Sequence, residues 1–358
     1  MKIAQIISNF HNTSPLAKQA IYSHVAWLTN NLVNLGNDVT LFASGGSTTK
    51  AKLISVVENQ TSELDIPDET KKRYDHMLLS KCYSKASAFD IIHSHFTLLS
   101  SFYSTLVDTP TIQSIHSPIT EDIKPFLSPF RANRYISFSL AQRKAMPELN
   151  WFGNIYHGVD TNIFSFNQKP EDYFLFLGRI TEEKGVHLAI KAAKATGVKL
   201  IIAGRSYPTE GYWHKKIEKY IDGKNIKYVG EADFKTKIEL YKNAKAVLFP
   251  TQYDEVFGLV MIEAMACGTP VIGWNKGSVP EIINNGKTGF VVKNIAEMAR
   301  AISAINTISR EETRKRAELY FSIEKMVEGY AKIYARIIEE KKYKKANGKN
   351  STKDNPVI

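Results

Sequence analysis

The sequence has few cysteines and no long apolar segment. Its 358 residues include 2 cysteines, Cys82 and Cys267, which are too few for a disulfide framework and which we interpret as small apolar core residues. No apolar run approaches the length of a membrane span, and residues 1–8 have the pattern of a strand rather than that of a signal peptide. These absences argue against a disulfide-rich secreted domain and an integral membrane protein, and they predict a cytoplasmic protein.

The sequence also lacks a concentrated basic face. The net charge is +11, but the segment 341–358 alone has 6 Lys and Arg residues against 1 Asp. We therefore expect a basic, disordered tail at 343–358, with at most weak peripheral contact with anionic lipid. Elsewhere, basic residues are not grouped with aromatic residues as a nucleic-acid interface requires, so no nucleic-acid partner is expected. The oligomeric state is left open.

Alternating strand and helix patterns predict an α/β fold with two Rossmann-like domains. Short apolar runs alternate with helical periodicity, and Gly36 ends the first helical stretch. Such alternation is typical of parallel sheets covered by helices, whose ligands bind beyond the carboxyl ends of the strands. The predicted domains are 1–156 and 157–322, and a C-terminal helix at about 323–342 returns to the first domain. The predicted strands are 2–8, 38–43, 89–93, 111–115, 134–138 and 153–156, followed by 173–177, 198–203, 226–229, 246–249, 270–273 and 290–292.

Two carboxylates flank a predicted loop-to-helix junction in the second half. Glu255 precedes the predicted helix at 258–267, and Glu263 lies roughly two turns further along. A helix N-terminus presents unpaired backbone N–H groups that favour phosphate oxygens. The carboxylates suit the hydroxyl groups on either side of a diphosphate, those of a sugar at one end and of a ribose at the other. The pattern therefore predicts a nucleotide-sugar site.

Two basic residues leave the first strand of the second half. Arg179 and Lys184 lie in a segment that begins at Gly178 and ends at Gly185. Alone they are typical of a solvated helix start, since Lys and Arg are common on surfaces. Together with Glu255 and Glu263 they indicate cations that converge on a diphosphate and stabilise it as a leaving group.

These motifs resemble the retaining glycosyltransferases of family 4, which have the GT-B fold. The resemblance covers most of residues 1–340 and is more specific in the second half, where Ala203-Gly204-Arg205 also matches. The segments 136–143, 147–151 and 277–281 resemble a bacterial subgroup that includes the UDP-glucose:tetrahydrobiopterin glucosyltransferases. The resemblance implies two Rossmann-like domains whose parallel sheets face a central cleft, with the acceptor domain at 1–156 and the donor domain at 157–322.

The resemblance also implies a role for each site residue. Glu255 is expected to contact hydroxyls of the donor sugar, and Arg179 and Lys184 are expected to neutralise the departing diphosphate. Backbone N–H groups of 258–260 are expected to take phosphate oxygens, and Glu263 is expected to hold the ribose hydroxyls. The expected donor-binding residues are Gly178, Gly204, Arg205, Phe257, Gly258, Leu259, Val260 and Glu263.

Histidines follow two strands of the first half. His116 comes after the strand at 111–115, and the family places a histidine in such a position close to the transferred sugar, so His116 is a candidate catalytic residue. His93 and His95 are two positions apart and could share one strand face, but no third metal ligand is evident at a useful spacing. No Asp-x-Asp element is placed to hold a metal for the diphosphate. We therefore expect no cofactor and a metal-independent reaction.

The segment 13–20 departs from the family. Many relatives have a Gly-Gly turn after the first strand, which lets the backbone approach the donor phosphates, whereas this segment contains no glycine. Lys18 is a candidate to replace part of that contact. The departure concerns donor phosphate geometry or acceptor access.

The leading hypothesis is an enzyme that transfers a hexose from a nucleoside diphosphate to a hydroxyl of a small-molecule or glycan acceptor, with retention. UDP and glucose are the best guesses, from the subgroup resemblance alone. No carboxylate pair is placed as nucleophile and acid, which favours front-face departure. A GT-B phosphorylase or synthase and a non-catalytic nucleotide- or glycan-binding protein remain alternatives. A dehydrogenase is disfavoured, since no Gly-x-Gly-x-x-Gly follows the first strand.

Overall fold

The computed structural model describes residues 1–96, 98–206 and 211–347, and the chain divides into two compact units. Unit 1 contains Met1–Tyr156 and the segment from Ile323 onward, and unit 2 is His157–Ser322. Cys82 and Cys267 are free and buried, as predicted. Among the described residues, no helix is both long enough and apolar enough to cross a membrane.

Unit 1 is built on a parallel sheet. Its strands are β1 (Lys2–Ile6), β2 (Asp38–Phe42), β3 (Lys52–Ile54), β4 (Ile91–Ser94), β5 (Thr111–Ser114), β6 (Arg134–Ser137) and β7 (Trp151–Asn154). Within the described residues the sheet has seven strands in the order β3-β2-β1-β4-β5-β6-β7. Every residue of β4 and β5 is buried, as expected for parallel strands covered on both faces. The helices between the strands are α1 (Ala20–Asn34), α2 (Asp68–Tyr83), α3 (Leu99–Ser104) and α4 (Lys124–Leu127).

Unit 2 repeats this architecture with a smaller sheet. Its strands are β8 (Phe174–Leu177), β9 (Leu200–Ala203), β10 (Ile226–Tyr228), β11 (Val247–Phe249), β12 (Val271–Trp274) and β13 (Gly289–Val292). The described strands form a six-stranded parallel sheet in the order β10-β9-β8-β11-β12-β13. The helices are α5 (Val186–Thr196), α6 (Phe234–Asn243), α7 (Leu259–Ala266), α8 (Val279–Ile282), α9 (Ile295–Ser303) and α10 (Arg310–Tyr320).

The last helix, α11 (Ile323–Ala346), packs on unit 1. Its residues Tyr330, Tyr334 and Ile337 are fully buried and belong to the same apolar cluster as strand residues of β1, β4 and β5. The helix continues to Ala346, so the predicted end at 342 was too early. The predicted disordered tail at 343–358 is therefore wrong for 343–346, and from 348 onward it lies outside the described residues.

Three regions differ from the sequence prediction. The segment 44–87, which has no clear pattern, contains β3 and α2, and α10 was not predicted. The sequence pattern of residues 212–221 predicts a helix, but the structure has a π-helical turn, Trp213–Ile217, followed by a 3₁₀ turn, Glu218–Tyr220. Of the sixteen residues in α2 only four are buried, so its apolar stripe is too narrow to give a helical period in the sequence.

A buried guanidinium joins α10 to the rest of unit 2. Arg310 donates hydrogen bonds to the carbonyl oxygens of Asn167 (2.6 Å), Ala244 (2.9 Å) and Lys242 (2.8 Å), and to Oγ1 of Thr269 (2.7 Å). Burial lowers the pKa of Arg310 to about 10, so the side chain remains charged at neutral pH. One side chain thus satisfies four acceptors from three separate segments.

Replacing Arg310 is expected to destabilise the protein strongly. Arg310→Met keeps an apolar stem but leaves buried carbonyl groups without donors, which should lower the free energy of unfolding by about 3 kcal/mol. Urea unfolding followed by tryptophan fluorescence measures the change. Arg300→Met, at an exposed position of α9, is the control and should unfold like the wild type. Equal midpoints for the two variants would show that the Arg310 network contributes nothing to stability.

Candidate functional site

The predicted donor-site residues of unit 2 leave the same edge of the sheet. Strand β8 lies between β9 and β11, and all three run parallel. Their carboxyl ends therefore lie side by side. Gly178 and Arg179 follow β8, Gly204 and Arg205 follow β9, and the segment 250–258 follows β11. The strand order changes direction at β8, where open α/β sheets place their ligand sites.

Two glycines let the loops after β8 and β9 approach closely. The N–H of Gly178 donates to the carbonyl oxygen of Ala203 (3.0 Å), and the N–H of Ile180 donates to that of Arg205 (2.9 Å). A Cβ atom at Gly204 would lie only 1.7 Å from the carbonyl oxygen of Gly178. The backbone contact therefore requires glycine at position 204.

Helix α7 begins where the sequence predicted an anion site. Gly258 precedes its first residue with φ +81°, a left-handed conformation that favours glycine. Leu259 and Val260 form the first turn and, like Gly258, are only partly buried. The first N–H groups of a helix have no partner within the helix, so this turn can donate to an oxyanion.

The segment before α7 is held by the loop after β12. Ser278 donates its N–H to the carbonyl oxygen of Glu255 (3.0 Å) and its hydroxyl to that of Phe257 (2.7 Å). The N–H of Gly277 donates to the carboxylate of Asp254 (3.0 Å). These three hydrogen bonds fix the backbone that carries Glu255.

Glu255 shares its carboxylate with a lysine and a tyrosine. Oε2 of Glu255 lies 2.6 Å from Nζ of Lys184 and accepts a hydrogen bond from the hydroxyl of Tyr253 at 2.7 Å. The side chains of Lys184 and Glu255 are only 17% and 13% exposed, so solvent screens this pair weakly. Burial, and then the Glu255 carboxylate, raises the pKa of Tyr253, which keeps the hydroxyl protonated as a donor.

Glu263 has the same two kinds of partner. Its Oε1 lies 2.8 Å from Nζ of Lys237, and its Oε2 accepts a hydrogen bond from the hydroxyl of Tyr241 at 2.9 Å. Lys237 and Tyr241 are four residues apart on α6, which places them on one helix face. Burial, and then Glu263, raises the pKa of Tyr241 well above its usual value. Each predicted carboxylate is thus held by one cation and one neutral hydroxyl.

The two predicted arginines are more exposed. The side chain of Arg179 is 56% exposed and forms an ion pair with Glu183 at 2.9 Å. Its positive charge partly offsets the rise in the pKa of Tyr253. Arg205 is exposed directly after β9. The structure therefore brings Lys184 and Glu255 into direct contact and leaves Arg179 and Arg205 at the same sheet edge.

The remaining predicted residues lie in unit 1. His116 is half-buried after β5, and its Nε2 lies 2.9 Å from Nδ1 of His95. In the glycine-free segment, the N–H of Ala17 donates to the carbonyl oxygen of Ser14 (3.0 Å), and Lys18 is exposed. The roles predicted for His116 and Lys18 stay predictions.

Sequence reasoning missed three residues that contact Glu255 and Glu263, namely Tyr253, Lys237 and Tyr241. Tyr253 is two positions from Glu255, but tyrosines near loops are too common to mark a site. Lys237 and Tyr241 come from a helix that precedes Glu263 by more than twenty positions, and only their four-residue spacing signalled a shared face.

Residues 159–321 match the family model of glycosyl transferases, group 1. This segment is therefore similar to the domain that group 1 glycosyl transferases share. Of two uncharacterized glycosyltransferases of Methanocaldococcus jannaschii, one is 28% identical over 51% of this chain and 53% of its own length, and the other is 25% identical over 82% and 85%. The chain thus spans about half the length of the first of these relatives.

The fold is shared with solved glycosyltransferase structures. The Anabaena protein HepE, solved in complex with UDP and glucose, matches with a TM-score of 0.70 and 17% identity, covering 96% of this chain and 100% of its own. At this identity the likeness concerns the fold alone. Together with the two parallel-sheet units, it confirms the predicted α/β fold of the GT-B class.

The close approach at Gly204 predicts a large stability loss on substitution. Gly204→Ala places a methyl group against the Gly178 carbonyl, and we expect a cost of about 3 kcal/mol or more in the free energy of unfolding. Gly197→Ala is a matched control: it also has a positive φ, of +70°, but meets nothing within 4 Å, and should cost about 1 kcal/mol. Thermal and urea unfolding of both variants test this. Similar losses would mean that the loop contact is easily displaced.

Proposed function

We propose that this protein is a retaining glycosyltransferase of family 4 that moves glucose from UDP-glucose to a hydroxyl of a small-molecule or glycan acceptor. The observation that supports it best is the pair of lysine- and tyrosine-held carboxylates, Glu255 and Glu263, on either side of the first turn of α7. Few other ligands combine a central anion with hydroxyl groups at both ends.

In this proposal the donor diphosphate binds at the N-terminus of α7. The N–H groups of 258–260 donate to phosphate oxygens, and the helix dipole adds a favourable partial charge. Glu263, further along α7, accepts hydrogen bonds from the ribose hydroxyls, while Glu255 accepts them from the sugar. The hydroxyls of Tyr253 and Tyr241 already donate to these carboxylates, so each carboxylate keeps a fixed orientation before the donor arrives.

Charge that develops on the departing diphosphate is balanced by Lys184 and Arg179. Lys184 lies within the Glu255 cluster, and Arg179 forms an exposed ion pair with Glu183. An exposed ion pair contributes about 0–1 kcal/mol, so Arg179 can exchange Glu183 for a phosphate oxygen at little cost. With two cations for the leaving group, no metal ion or other cofactor is required, and the released phosphate oxygen accepts the acceptor's proton on the same face of the sugar.

The choice of UDP and glucose has two supports. The sequence resembles a subgroup that includes UDP-glucose-dependent enzymes, and HepE, which shares the fold, was solved with UDP and glucose. A soluble acceptor fits the nearly balanced charge of residues 1–156, which carry 14 Lys and Arg residues and 12 Asp and Glu residues. His116 is proposed to lie near the transferred sugar.

A nucleotide panel followed by donor hydrolysis tests the proposed function. The thermal unfolding midpoint should rise with UDP and less with GDP or ADP, because binding to the folded state stabilises it. Incubation with UDP-glucose in EDTA should then release glucose slowly, with the α-anomer formed first, as NMR can show. Binding without hydrolysis or transfer would favour the non-catalytic alternative, and release of sugar phosphate only in the presence of phosphate would favour a phosphorylase.

Variants of the Glu255 cluster should lose turnover but remain folded. We expect Glu255→Gln and Lys184→Met each to lower the rate of donor hydrolysis by about 100-fold, the usual size of an electrostatic contribution to a transition state. Glu171→Gln and Lys224→Met make the same changes at exposed positions before β8 and β10, at the opposite edge of the unit 2 sheet. Normal turnover in folded Glu255→Gln or Lys184→Met protein would contradict the roles proposed for these residues.

Removing the cation beside Glu263 should affect nucleotide binding. Lys237→Met removes the cation beside Glu263 and leaves only the Tyr241 hydrogen bond from α6. The Glu263 carboxylate is then held less firmly, and we expect the Kd for UDP to rise about 10-fold, or about 1.4 kcal/mol. Isothermal titration calorimetry with UDP measures it. Lys235→Met, an exposed position on the same helix, is the control. If both variants bind UDP as tightly as the wild type, Glu263 does not hold the ribose.

A further inference from the structure

Three histidines from separate elements of unit 1 converge in one cluster. His24 lies on α1, His95 directly follows β4, and His116 follows β5 by two positions. Each ring offers one nitrogen, and these three atoms all lie within 4.8 Å of one another. The ring centres are 5.2 Å apart for His24 and His116, 5.9 Å for His24 and His95, and 5.1 Å for His95 and His116. His24 is the member of the cluster that sequence spacing did not reveal.

These separations suit a tetrahedral metal ion. Zinc bound to imidazole at about 2.0–2.1 Å places its ligand nitrogens about 3.4 Å apart in tetrahedral geometry. Nδ1 of His95 and Nε2 of His116 are 2.9 Å apart, and the three nitrogens that the rings offer all lie within 4.8 Å of one another. The cluster is therefore compact enough for its rings to face one ion.

A buried glutamine fixes the tautomer of His95. Nε2 of His95 lies 2.9 Å from Oε1 of Gln5, which can only accept, so Nε2 carries the proton and Nδ1 presents its lone pair towards His116. Gln5 is itself oriented, because its Nε2 donates to the hydroxyl of Tyr334 at 3.0 Å. Metal-binding histidines commonly donate a hydrogen bond from the N–H of their second ring nitrogen to a carbonyl oxygen in this way.

The cluster is largely shielded from solvent. His24 and His95 are buried. The neighbouring His93 does not serve as a fourth ligand, since its Nδ1 bonds the hydroxyl of Tyr334 (2.6 Å) and its Nε2 that of Ser114 (2.8 Å). His116 is half-buried and connects the cluster with solvent.

We propose that His24, His95 and His116 bind a zinc-class divalent metal ion. Imidazole nitrogens suit zinc, and three of them leave a fourth position for water. On binding, His116 loses the proton at Nε2 and gains one at Nδ1, so the ring stays neutral and its Nε2 lone pair reaches the metal. The hydrogen bond between His95 and His116 is replaced by two metal–nitrogen bonds. The site shares His116 with the proposed sugar contact, but none of its three ligands is among the residues proposed to hold the diphosphate.

Titration with zinc alone tests the proposal. The untagged full chain, stripped with chelator, should bind one equivalent of Zn²⁺ by calorimetry, and Co²⁺ in its place should give the visible absorption of a tetrahedral ion. His116→Gln, at the half-buried position, should weaken zinc binding at least 10-fold, and zinc should raise the thermal unfolding midpoint of the wild type but not of this variant. His24→Gln should have the same effect where circular dichroism shows it folded.

His214→Gln is the matched control. His214 is exposed in unit 2 and pairs with Glu218 at 2.7 Å, so its loss should leave zinc affinity unchanged. The proposal is overturned if the wild type binds no stoichiometric zinc, if His116→Gln binds it equally well, or if His214→Gln removes the binding. None of these readouts uses a sugar donor, so failure here leaves the proposed glycosyl transfer untouched, and failure of donor hydrolysis leaves the metal site untouched.

Discussion

Two partly buried carboxylates determine how the ligand-facing edge of unit 2 is organised. A buried carboxylate without a cation or donors is costly, so Glu255 and Glu263 each require partners from other segments. Lys184 comes from the loop after β8, and it reaches Glu255 because that loop is fastened to the segment after β11. Gln252 links the two segments, because its backbone N–H donates to the carbonyl oxygen of Glu183 (2.7 Å) and its side-chain amide donates to that of Glu182 (2.6 Å). The contacts that join the segments after β8 and β11 therefore also bring Lys184 to the Glu255 carboxylate.

The elements of the fold were predictable where their period is strong. Strands buried on both faces and helices closed by glycine follow from the apolar pattern, as α1 with Gly36 shows. The edge strand β3 is three residues long, and α2 is mostly polar, so neither produces a period that the sequence reveals. Their positions depend on packing against β2 and the neighbouring helices, which sequence pattern alone does not contain.

The candidate site was predictable in its charged groups but not in their partners. The spacing of Glu255 and Glu263 and the basic residues after β8 point to a diphosphate because the helix start lies between the carboxylates. Tyr253 is close to Glu255 in the sequence, but tyrosines near loops are too common to indicate a site. Lys237 and Tyr241 could not be found from spacing, because their contacts with Glu263 exist only once α6 packs beside α7. The same holds for His24, which joins His95 and His116 because β1, β4 and β5 are neighbours and α1 packs on them.

The two units share one arrangement of strand ends but place different kinds of side chain there. In each, side chains that directly follow adjacent parallel strands meet at one edge of the sheet. In unit 2 these residues are charged, and with the first turn of α7 they suit a polyanion flanked by hydroxyl groups. In unit 1, His95 and His116 follow adjacent strands and offer imidazole nitrogens, which suit a metal ion rather than a phosphate. The anion-binding role that we propose therefore belongs to unit 2, whichever ligand unit 1 takes.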